Sequence, residues 1–249
     1  MIHSFLLIGQ SNMAGRGYVT DVPKIENDRI NVLTNGRFQL AFSPINPDRD
    51  VSGVNLAESF ADAYSKEHDV DVGLIPCADG GTCLDQWAED GLLFDSALYC
   101  AELASRTSQI VGVLWHQGEG DCSPLLYPYY EEKFLKIMEA FRRKLGLSKV
   151  PFILGGLGDF LSNCIYDDNL KNYTKINDTL MKIANENEMT GFASAKGLTA
   201  NSDNLHFNAV SLREFGLRYY SEWKKFEDKI AFDNKAVKYN DIRTKLERF

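Results

Sequence analysis

The chain has 249 residues, which is long enough for one α/β domain with a large hydrophobic core. Hydrophobic residues make up 44% and charged residues 25%, which is the balance of an ordinary soluble globular protein. A formal net charge of -8 argues against broad binding to nucleic acid or to an anionic membrane, because both need concentrated positive charge.

The N-terminal apolar run bears on where the protein resides. Residues 4–8 are too few for the apolar core of a signal peptide, and no basic segment precedes them. The sequence contains no stretch that is long and apolar enough to be a transmembrane helix. We therefore expect a cytoplasmic protein, although a secreted protein that has lost its signal peptide would have the same sequence.

Continuous apolar runs alternate with stretches of helical periodicity along the chain. The runs do not alternate in polarity, which is typical of strands that are covered on both faces. The five predicted strands are residues 4–9, 70–77, 109–115, 150–156 and 191–195. Apolar residues at every third or fourth position predict helices between them. These stripes occupy residues 56–64, 127–145, 173–183 and 212–223.

The order of these elements predicts the fold class and the domain organisation. Repeated strand–helix units favour an α/β protein with an open parallel sheet of five strands and helices on both faces. Residues 227–249 are charged and weakly periodic. We therefore predict one domain over residues 1–226, followed by a C-terminal extension that forms a helix or an arm.

Polar or glycine-rich segments follow four of the five predicted strands. These segments are Gly9–Met13, Asp79–Thr82, His116–Asp121 and Asp203–His206. In an open parallel sheet, ligands bind outside the carboxyl ends of the strands. Because those ends share one edge of the sheet, we expect the four segments to meet there and to form an active site.

Two residues of these segments have the chemistry of a nucleophile and its base. Ser11 lies where the first strand turns, so its hydroxyl can project from the sheet edge, although a serine here is also a common helix cap. A serine nucleophile needs a base to take its proton. His206 comes three residues after Asp203, so the carboxylate can bind one ring nitrogen and leave the other for Ser11. On its own, this spacing is more often that of an ordinary loop.

Two further segments can supply hydrogen-bond donors. Gly80 and Gly81 lack a Cβ, so their backbone can approach a substrate and donate an N–H to a negative oxygen, although a glycine pair is also a simple turn. Gln117 offers a side-chain amide at the end of the third strand. Such donors are needed because acyl transfer places negative charge on the carbonyl oxygen.

Together these segments resemble a known family. They read Gly9-Gln10-Ser11-Asn12-Met13-Ala14-Gly15, Gly80-Gly81-Thr82, Trp115-His116-Gln117-Gly118-Glu119 and Asp203-Asn204-Leu205-His206. In this order they resemble the SGNH hydrolase superfamily and, within it, the branch of sialate O-acetylesterase-like and acetylxylan esterase-like carbohydrate esterases. The resemblance extends from residue 5 to about residue 225.

The resemblance implies a flavodoxin-like three-layer α/β/α sandwich and a catalytic triad that uses no metal ion or other cofactor. Ser11 corresponds to the nucleophile, His206 to the base, and Asp203 to the acid that orients the base. The donors to the oxyanion correspond to the N–H groups of Ser11 and Gly80 and to the side chain of Gln117.

Other residues of the motifs are expected to support the site. Asn12 is expected to support the turn that holds the nucleophile, and Gly81 the glycine before it. Glu119 is expected to hold the loop after the third strand. This branch often has serine where the chain has Gly120, so a contact made by that hydroxyl would be missing here.

Three residues are candidates for contact with the substrate. Arg16 is expected to face the pocket. Trp87 follows the glycine segment closely and could be a platform for a sugar ring, although a place in the core is about as plausible. His116 could contact the substrate or be a core histidine whose hydrogen bonds are satisfied.

The sequence therefore predicts a serine esterase that removes acetyl groups from a carbohydrate through an acyl-enzyme. It has no apolar lid, and its edge loops, residues 43–53, 79–91 and 199–208, are polar, which favours acetyl over long acyl chains. A short-chain lipase, thioesterase or arylesterase on the same fold is an alternative, as is a catalytically inactive glycan-binding protein. The expected partner is an acetylated carbohydrate or another small acyl ester, with no nucleic acid and no membrane.

Overall fold

The apolar runs form one sheet in the computed structural model, which describes residues 2–233. Its strands are β1 (Ile2–Gly9), β2 (Ile30–Thr34), β3 (Arg37–Leu40), β4 (Asp71–Pro76), β5 (Ser108–His116), β6 (Phe152–Gly155) and β7 (Thr190–Ala193). Their order in the sheet is β3-β2-β4-β1-β5-β6-β7. Neighbouring strands are parallel except for β2 and β3, so the sheet is mostly parallel.

The sheet has seven strands rather than the five predicted. All five predicted strands are present, and β2 and β3 add an antiparallel hairpin at one edge. Asn35 and Gly36 connect these two strands with φ values of 53° and 75°, the left-handed conformation that tight hairpin turns favour. Polar residues such as Arg37 and Gln39 interrupt β3, so the hairpin lacks the continuous apolar run of a central strand.

Helices cover both faces of the sheet. They are α1 (Ser11–Ala14), α2 (Ala57–His68), α3 (Leu92–Ala104), α4 (Tyr130–Leu145), α5 (Tyr173–Glu186) and α6 (Ala209–Lys224). Helices α2 and α6 pack against one face, and α3, α4 and α5 pack against the other. The predicted three-layer α/β/α sandwich is therefore confirmed. Between residues 2 and 233, no helix combines the length and the apolar character needed to cross a bilayer.

The sequence pattern does not single out α3 as a helix. Its buried residues Phe94, Ala97 and Ala101 are spaced for one face, but Leu92 and Tyr99 are exposed on other faces. Apolar side chains on several faces obscure the stripe by which an amphipathic helix is recognised.

The central strand β1 carries core residues on both of its faces. Phe5 and Leu7 pack in the layer of α2 and α6, while Leu6 and Ile8 pack in the opposite layer. This alternation is the ordinary geometry of a strand that is covered on both sides. A Cβ on Gly112 of β5 would lie 2.6 Å from the Phe5 ring, so the missing side chain makes room for that ring.

The beginning of the C-terminal extension packs near the N-terminal end of β1. The Phe232 ring stacks on His3 with 5.0 Å between the ring centroids. The Gln109 side-chain nitrogen donates to the Ala231 carbonyl oxygen at 2.7 Å. The rest of the predicted extension, residues 234–249, lies outside the described residues, and the domain boundary stays a prediction.

Replacement of Phe5 by Ala should destabilise the fold by about 3–5 kcal/mol, because it opens a cavity in the core. Phe5 is fully buried and makes edge-to-face contacts with Phe60, Tyr64 and Trp223. Urea unfolding followed by circular dichroism measures the change. Leu125→Ala, at an exposed position, is the control and should change the free energy of unfolding by about 0.5 kcal/mol or less. Equal losses in the two variants would contradict this account of the core.

Candidate active site

The ends of β1 and β5 lie in close contact where the chain leads into Ser11. Gly9 ends β1 with a φ of 129°, and a Cβ on it would lie 2.1 Å from the carbonyl oxygen of His116. Glycine is therefore required here. The Gln10 N–H donates to the same oxygen at 2.8 Å. The chain then turns into the single-turn helix α1, whose first residue, Ser11, lies at the carboxyl edge of the sheet.

The structure brings Ser11 to Asp203 and His206, which lie about 190 positions further along the sequence. The Ser11 Oγ lies 3.1 Å from His206 Nε2, and His206 Nδ1 lies 2.7 Å from Asp203 Oδ2. The other oxygen of Asp203 accepts the N–H groups of Leu205 and His206 at 2.9 and 3.0 Å. An imidazole held between a carboxylate and a hydroxyl can take the hydroxyl proton, which makes the serine oxygen a nucleophile.

Asp203 is held in its ionised form. Burial raises the pKa of this carboxyl, but the bonds from the N–H groups of His206 and Leu205 and from the imidazole ring outweigh burial and lower the pKa overall. A negative charge beside Nδ1 favours the tautomer that keeps its proton on Nδ1. In that tautomer the Nε2 lone pair faces the Ser11 hydroxyl.

Asn12, the second residue of α1, contacts the loop that carries His206. Its side-chain nitrogen donates to the Leu205 carbonyl oxygen at 3.2 Å, and its side-chain oxygen accepts the Phe207 N–H at 3.1 Å. The same nitrogen donates to Glu119 Oε1 at 2.5 Å. Asn12 therefore links α1 both to the loop after β5 and to the loop after β7.

His116 lies beneath the site, and its predicted contact with the substrate is wrong. Its side chain is 0% exposed, so no ring atom can reach a substrate. Its Nε2 lies 3.3 Å from Glu119 Oε1, and its Nδ1 lies 3.4 Å from the Tyr219 hydroxyl. The alternative of a core histidine with polar partners is confirmed.

Glu119 is ionised although it is buried. Burial raises the pKa of its carboxyl, but the charge of His116 and the hydrogen bonds from His116 and Asn12 lower the pKa overall. The carboxylate can therefore act as a hydrogen-bond acceptor for both neighbours.

Gln117 does not present a free amide to the site. Its Nε2 donates to the Thr82 carbonyl oxygen at 3.1 Å and to Asp121 Oδ2 at 2.6 Å. A side-chain amide has two N–H groups, so both are used. The predicted role of Gln117 as an oxyanion donor therefore requires one of these two bonds to break. The residue instead joins the loop after β5 to the glycine segment.

Gly80 lies against the nucleophile, but its N–H already has an acceptor. A Cβ on Gly80 would be 3.5 Å from Ser11 Cβ and 3.0 Å from Asp48 Oδ2. The Gly80 N–H donates to that Asp48 oxygen at 2.8 Å. The predicted role of Gly80 as an oxyanion donor therefore requires the N–H to leave Asp48 or to be shared with it.

Arg16 is paired with Asp48 rather than facing an open pocket. Its Nη1 lies 2.9 Å from Asp48 Oδ1 and its Nη2 lies 2.7 Å from Oδ2, and the two side chains are 6% and 5% exposed. The prediction that Arg16 binds the substrate is wrong here, because its guanidinium is buried and paired. Burial raises the pKa of Asp48, but hydrogen bonds from Arg16 and Ser52 and the Arg16 charge lower it overall.

Asp48 is a residue of the site that the sequence motifs do not reveal. It follows β3 in a polar loop and belongs to none of the four motif segments. A buried arginine such as Arg16 signals that a carboxylate partner exists. The chain has 35 acidic residues, however, and no spacing rule identifies which one is the partner.

Gln10 and Gly120 connect the loop after β5 to the start of α1. The side-chain oxygen of Gln10 accepts the Gly120 N–H at 3.2 Å. A Cβ on Gly120 would lie 2.6 Å from the Thr82 carbonyl oxygen. The serine that the family often has at this position would clash in this arrangement, so the departure from the pattern has a steric reason.

Two backbone donors of the site remain open. Gly81 is exposed and has a φ of 77°, a conformation that favours glycine. Neither the Gly81 N–H nor the Ser11 N–H has an acceptor within residues 2–233. Both groups are therefore available to bind a negatively charged oxygen.

Trp87 lies in the core, and its predicted role as a sugar platform is wrong. Its side chain is 0% exposed, and its ring packs edge-to-face on Trp115 with 5.7 Å between centroids. Its indole N–H donates to Thr82 Oγ1 at 3.1 Å. The alternative of a core position is confirmed, and the indole supports the glycine segment.

The described residues contain no preformed metal centre. Within residues 2–233, no group of three or more histidine, cysteine, aspartate or glutamate side chains is arranged to hold an ion. The five cysteines are free thiols.

Comparisons with known proteins define the relatives of the chain. Residues 1–225 match the family described as carbohydrate esterase, sialic acid-specific acetylesterase. A protein of Arabidopsis thaliana, described as a probable carbohydrate esterase, is 28% identical over 238 residues, which cover 86% of each chain. A solved Arabidopsis thaliana structure is 25% identical with a TM-score of 0.80, covering 90% of this chain and 98% of that one. NanS shares the fold, with 17% identity and a TM-score of 0.73 over 92% of this chain and 98% of its own.

The fold and the family match define the class of protein. It is a carboxylic ester hydrolase with the SGNH hydrolase fold. The chain belongs to the sialic acid-specific acetylesterase family of carbohydrate esterases, a family whose reaction is the hydrolysis of O-acetyl esters. The resemblance that the four motifs carry is therefore confirmed.

Replacement of Asp48 by Asn should destabilise the fold by about 3 kcal/mol at pH 7, because it leaves the buried Arg16 charge unpaired. The pKa of Asp48 is lowered from 3.8 in the folded state, so its ionised form contributes stability above that pH. The difference between wild type and variant should be lost as the pH falls below 3.8 through the lowered pKa. Denaturant unfolding at pH 7 and at a series of pH values below 4 measures it.

Asp50→Asn is the matched control for this prediction, because Asp50 is exposed in the same loop. It should change the free energy of unfolding by about 0.5 kcal/mol or less at any pH. A difference between wild type and Asp48→Asn that stays constant across the acid range would argue against a buried, ionised Asp48.

Proposed function

We propose that this protein is a serine esterase that hydrolyses O-acetyl esters on a carbohydrate through Ser11, His206 and Asp203. The observation that carries the proposal is the continuous chain of contacts among these side chains. Ser11 Oγ lies 3.1 Å from His206 Nε2, and His206 Nδ1 lies 2.7 Å from Asp203 Oδ2. Both distances are within the range of proton transfer through a hydrogen bond.

In the first half of the reaction, His206 Nε2 takes the Ser11 proton while Ser11 Oγ attacks the carbonyl carbon of the acetyl group. The intermediate collapses when the bond between that carbon and the sugar oxygen breaks. The sugar oxygen leaves with the proton from His206, and the acetyl group stays on Ser11 as an ester. Asp203 remains ionised and stabilises the imidazolium that forms in between.

In the second half, a water molecule replaces the sugar. His206 takes a proton from the water as its oxygen attacks the acetyl carbon. The bond to Ser11 Oγ then breaks, Ser11 regains a proton from His206, and acetic acid is released and gives its proton to solvent. The protein returns to its starting protonation state.

We assign the Ser11 N–H as the main hydrogen-bond donor to the oxyanion. It is next to the reacting oxygen and has no acceptor within residues 2–233. The Gly81 N–H is open as well, while the Gly80 N–H can contribute only by sharing its proton between Asp48 and the oxyanion. Each such donor stabilises the transition state by about 3 kcal/mol.

The loops at this edge of the sheet, residues 43–53, 79–91 and 199–208, are polar and support a small acyl group. A long alkyl chain would find little apolar surface among them, so its burial would contribute little to binding. The family description, a sialic acid-specific acetylesterase, supports the same acyl group and a sugar as the alcohol.

Replacement of Ser11 by Ala should lower kcat for p-nitrophenyl acetate at least about ten-thousand-fold, because no other group can form the acyl-enzyme. Release of p-nitrophenol measures the rate, and the melting temperature reports the fold. Ser202→Ala is the matched control, because Ser202 is exposed in the loop that carries His206. Retained activity in Ser11→Ala would reject the mechanism.

A fluorophosphonate probe separates the esterase from an inactive glycan-binding protein. The probe should modify wild type at Ser11, as a peptide mass increase would report, and should leave Ser11→Ala unmodified. A wild-type protein that binds acetylated sugars but forms no adduct would favour the binding-protein alternative.

Acetyl esters should be hydrolysed faster than esters of longer acids. We expect kcat/KM for p-nitrophenyl acetate to exceed that for the octanoate at least about tenfold, because the polar loops around Ser11 offer the longer chain little apolar surface. A series of acetyl, butyryl and octanoyl esters measures the preference. Faster turnover of the octanoate would favour the lipase alternative.

A further inference from the structure

The Asn12 side chain binds the backbone on both sides of His206. Its Nδ2 donates to the Leu205 carbonyl oxygen at 3.2 Å, and its Oδ1 accepts the Phe207 N–H at 3.1 Å. Asn12 is itself the neighbour of Ser11. The buried carboxamide of Asn12 therefore binds the residues on both sides of His206, although Ser11 and His206 are 195 positions apart in the chain.

The second N–H of Asn12 determines which way its amide points. It is donated to Glu119 Oε1 at 2.5 Å, and His116 Nε2 lies 3.3 Å from the same oxygen. The carboxylate of Glu119 can only accept, while the Phe207 N–H can only donate, so one of the two amide orientations satisfies both. Asn12, Glu119 and His116 are at most 6% exposed, so water is poorly placed to compensate for the wrong orientation.

Other contacts of the His206 loop lie inside the loop, in the core, or farther along the chain from His206 than the two Asn12 bonds. Asp203 binds N–H groups inside the loop, and the His206 carbonyl oxygen accepts the Asn201 N–H at 2.8 Å. The Phe207 ring packs in the core, but such packing has little directionality. The Asn201 side chain, five positions before His206, donates to the Arg16 carbonyl oxygen, which lies after the end of α1.

We propose that Asn12 is the positioning residue that sets the distance and angle between Ser11 Oγ and His206 Nε2, and that Glu119, supported by His116, orients Asn12 for this role. Asn12 touches neither the substrate nor the transferred proton. A displacement of about 1 Å between reacting groups lowers the rate about 100-fold. The inference rests on the proposed function, because it takes Ser11 and His206 as the reacting pair.

Replacement of Asn12 by Ala removes the contacts to both neighbours of His206. We expect kcat for p-nitrophenyl acetate to fall about 100-fold while KM changes less than about threefold, because substrate binding is not affected. The rate at which a fluorophosphonate modifies Ser11 should fall by a similar factor, since that reaction uses the same base. A merely structural role would lower the melting temperature without this selective loss of kcat.

Asn201→Ala is the matched control. It removes an asparagine side chain from the same loop and one hydrogen bond, to the Arg16 carbonyl oxygen, at 2.9 Å. We expect its kcat to stay within about threefold of wild type, because the bonds on either side of His206 are intact. Equal losses of kcat in Asn12→Ala and Asn201→Ala, or no loss in Asn12→Ala, would overturn the inference.

A charge exchange tests the same inference in variants that keep the shape of the site. Asn12→Asp places a carboxylate against Glu119 and should lower kcat at least about 30-fold, while Glu119→Gln alone should lower it about fivefold, because its amide oxygen can still accept from Asn12. The double variant pairs the new carboxylate with an amide, so its kcat should exceed that of Asn12→Asp about tenfold, while staying below wild type because Asp cannot donate to the Leu205 carbonyl oxygen. An absence of recovery in a folded double variant would contradict the assigned role of Glu119.

These outcomes separate the inference from the proposed function. Full activity in Ser11→Ala would remove the esterase mechanism itself. An inactive Ser11→Ala together with fully active Asn12 variants would leave the mechanism in place and remove only the role of Asn12.

Discussion

Hydrogen bonds among the buried polar groups beneath the sheet edge are the interaction on which the rest of the site depends. Each such group left unpaired costs about 1–3 kcal/mol. The hydrogen bonds of His116, Glu119 and Asn12 run from the end of β5, through the loop after it, to α1 and on to the loop of His206. The Ser11 and His206 side chains are therefore connected through buried residues, where packing allows few alternative arrangements.

The same constraint explains why several polar side chains near Ser11 do not face a substrate. The guanidinium of Arg16 is bound by Asp48, and the amide of Gln117 is bound by Thr82 and Asp121. These pairs join the glycine segment to the loops on either side of it. The joined loops lie beside Ser11, and they leave the backbone N–H groups of Ser11 and Gly81, rather than long side chains, without an acceptor within residues 2–233.

The sheet and the contact between Ser11 and His206 could be predicted, because each depends on patterns that are local in the sequence. The central strands are continuous apolar runs whose carboxyl ends share an edge, and Ser11 and His206 follow two such runs. The β2–β3 hairpin and α3 lack a regular pattern of apolar residues, so hydrophobic periodicity does not identify them. The Asn35-Gly36 pair is nevertheless typical of a hairpin turn. Asp48 could not be predicted, because a bond between two loops depends on their paths in space rather than on spacing.

Gln117 and Gly120 mark the limit of transferring a motif role from one protein to another. Gln117 matches the family pattern, yet its two N–H groups bind Thr82 and Asp121. Gly120 departs from the pattern, yet a side chain there would clash with the Thr82 carbonyl oxygen. Residue identity therefore determines which hydrogen bonds are possible, and the neighbouring loop determines which are made. The glycine segment and the loop after β5 bind each other directly, and the N–H groups of Ser11 and Gly81 are the backbone donors that these bonds leave without an acceptor within residues 2–233.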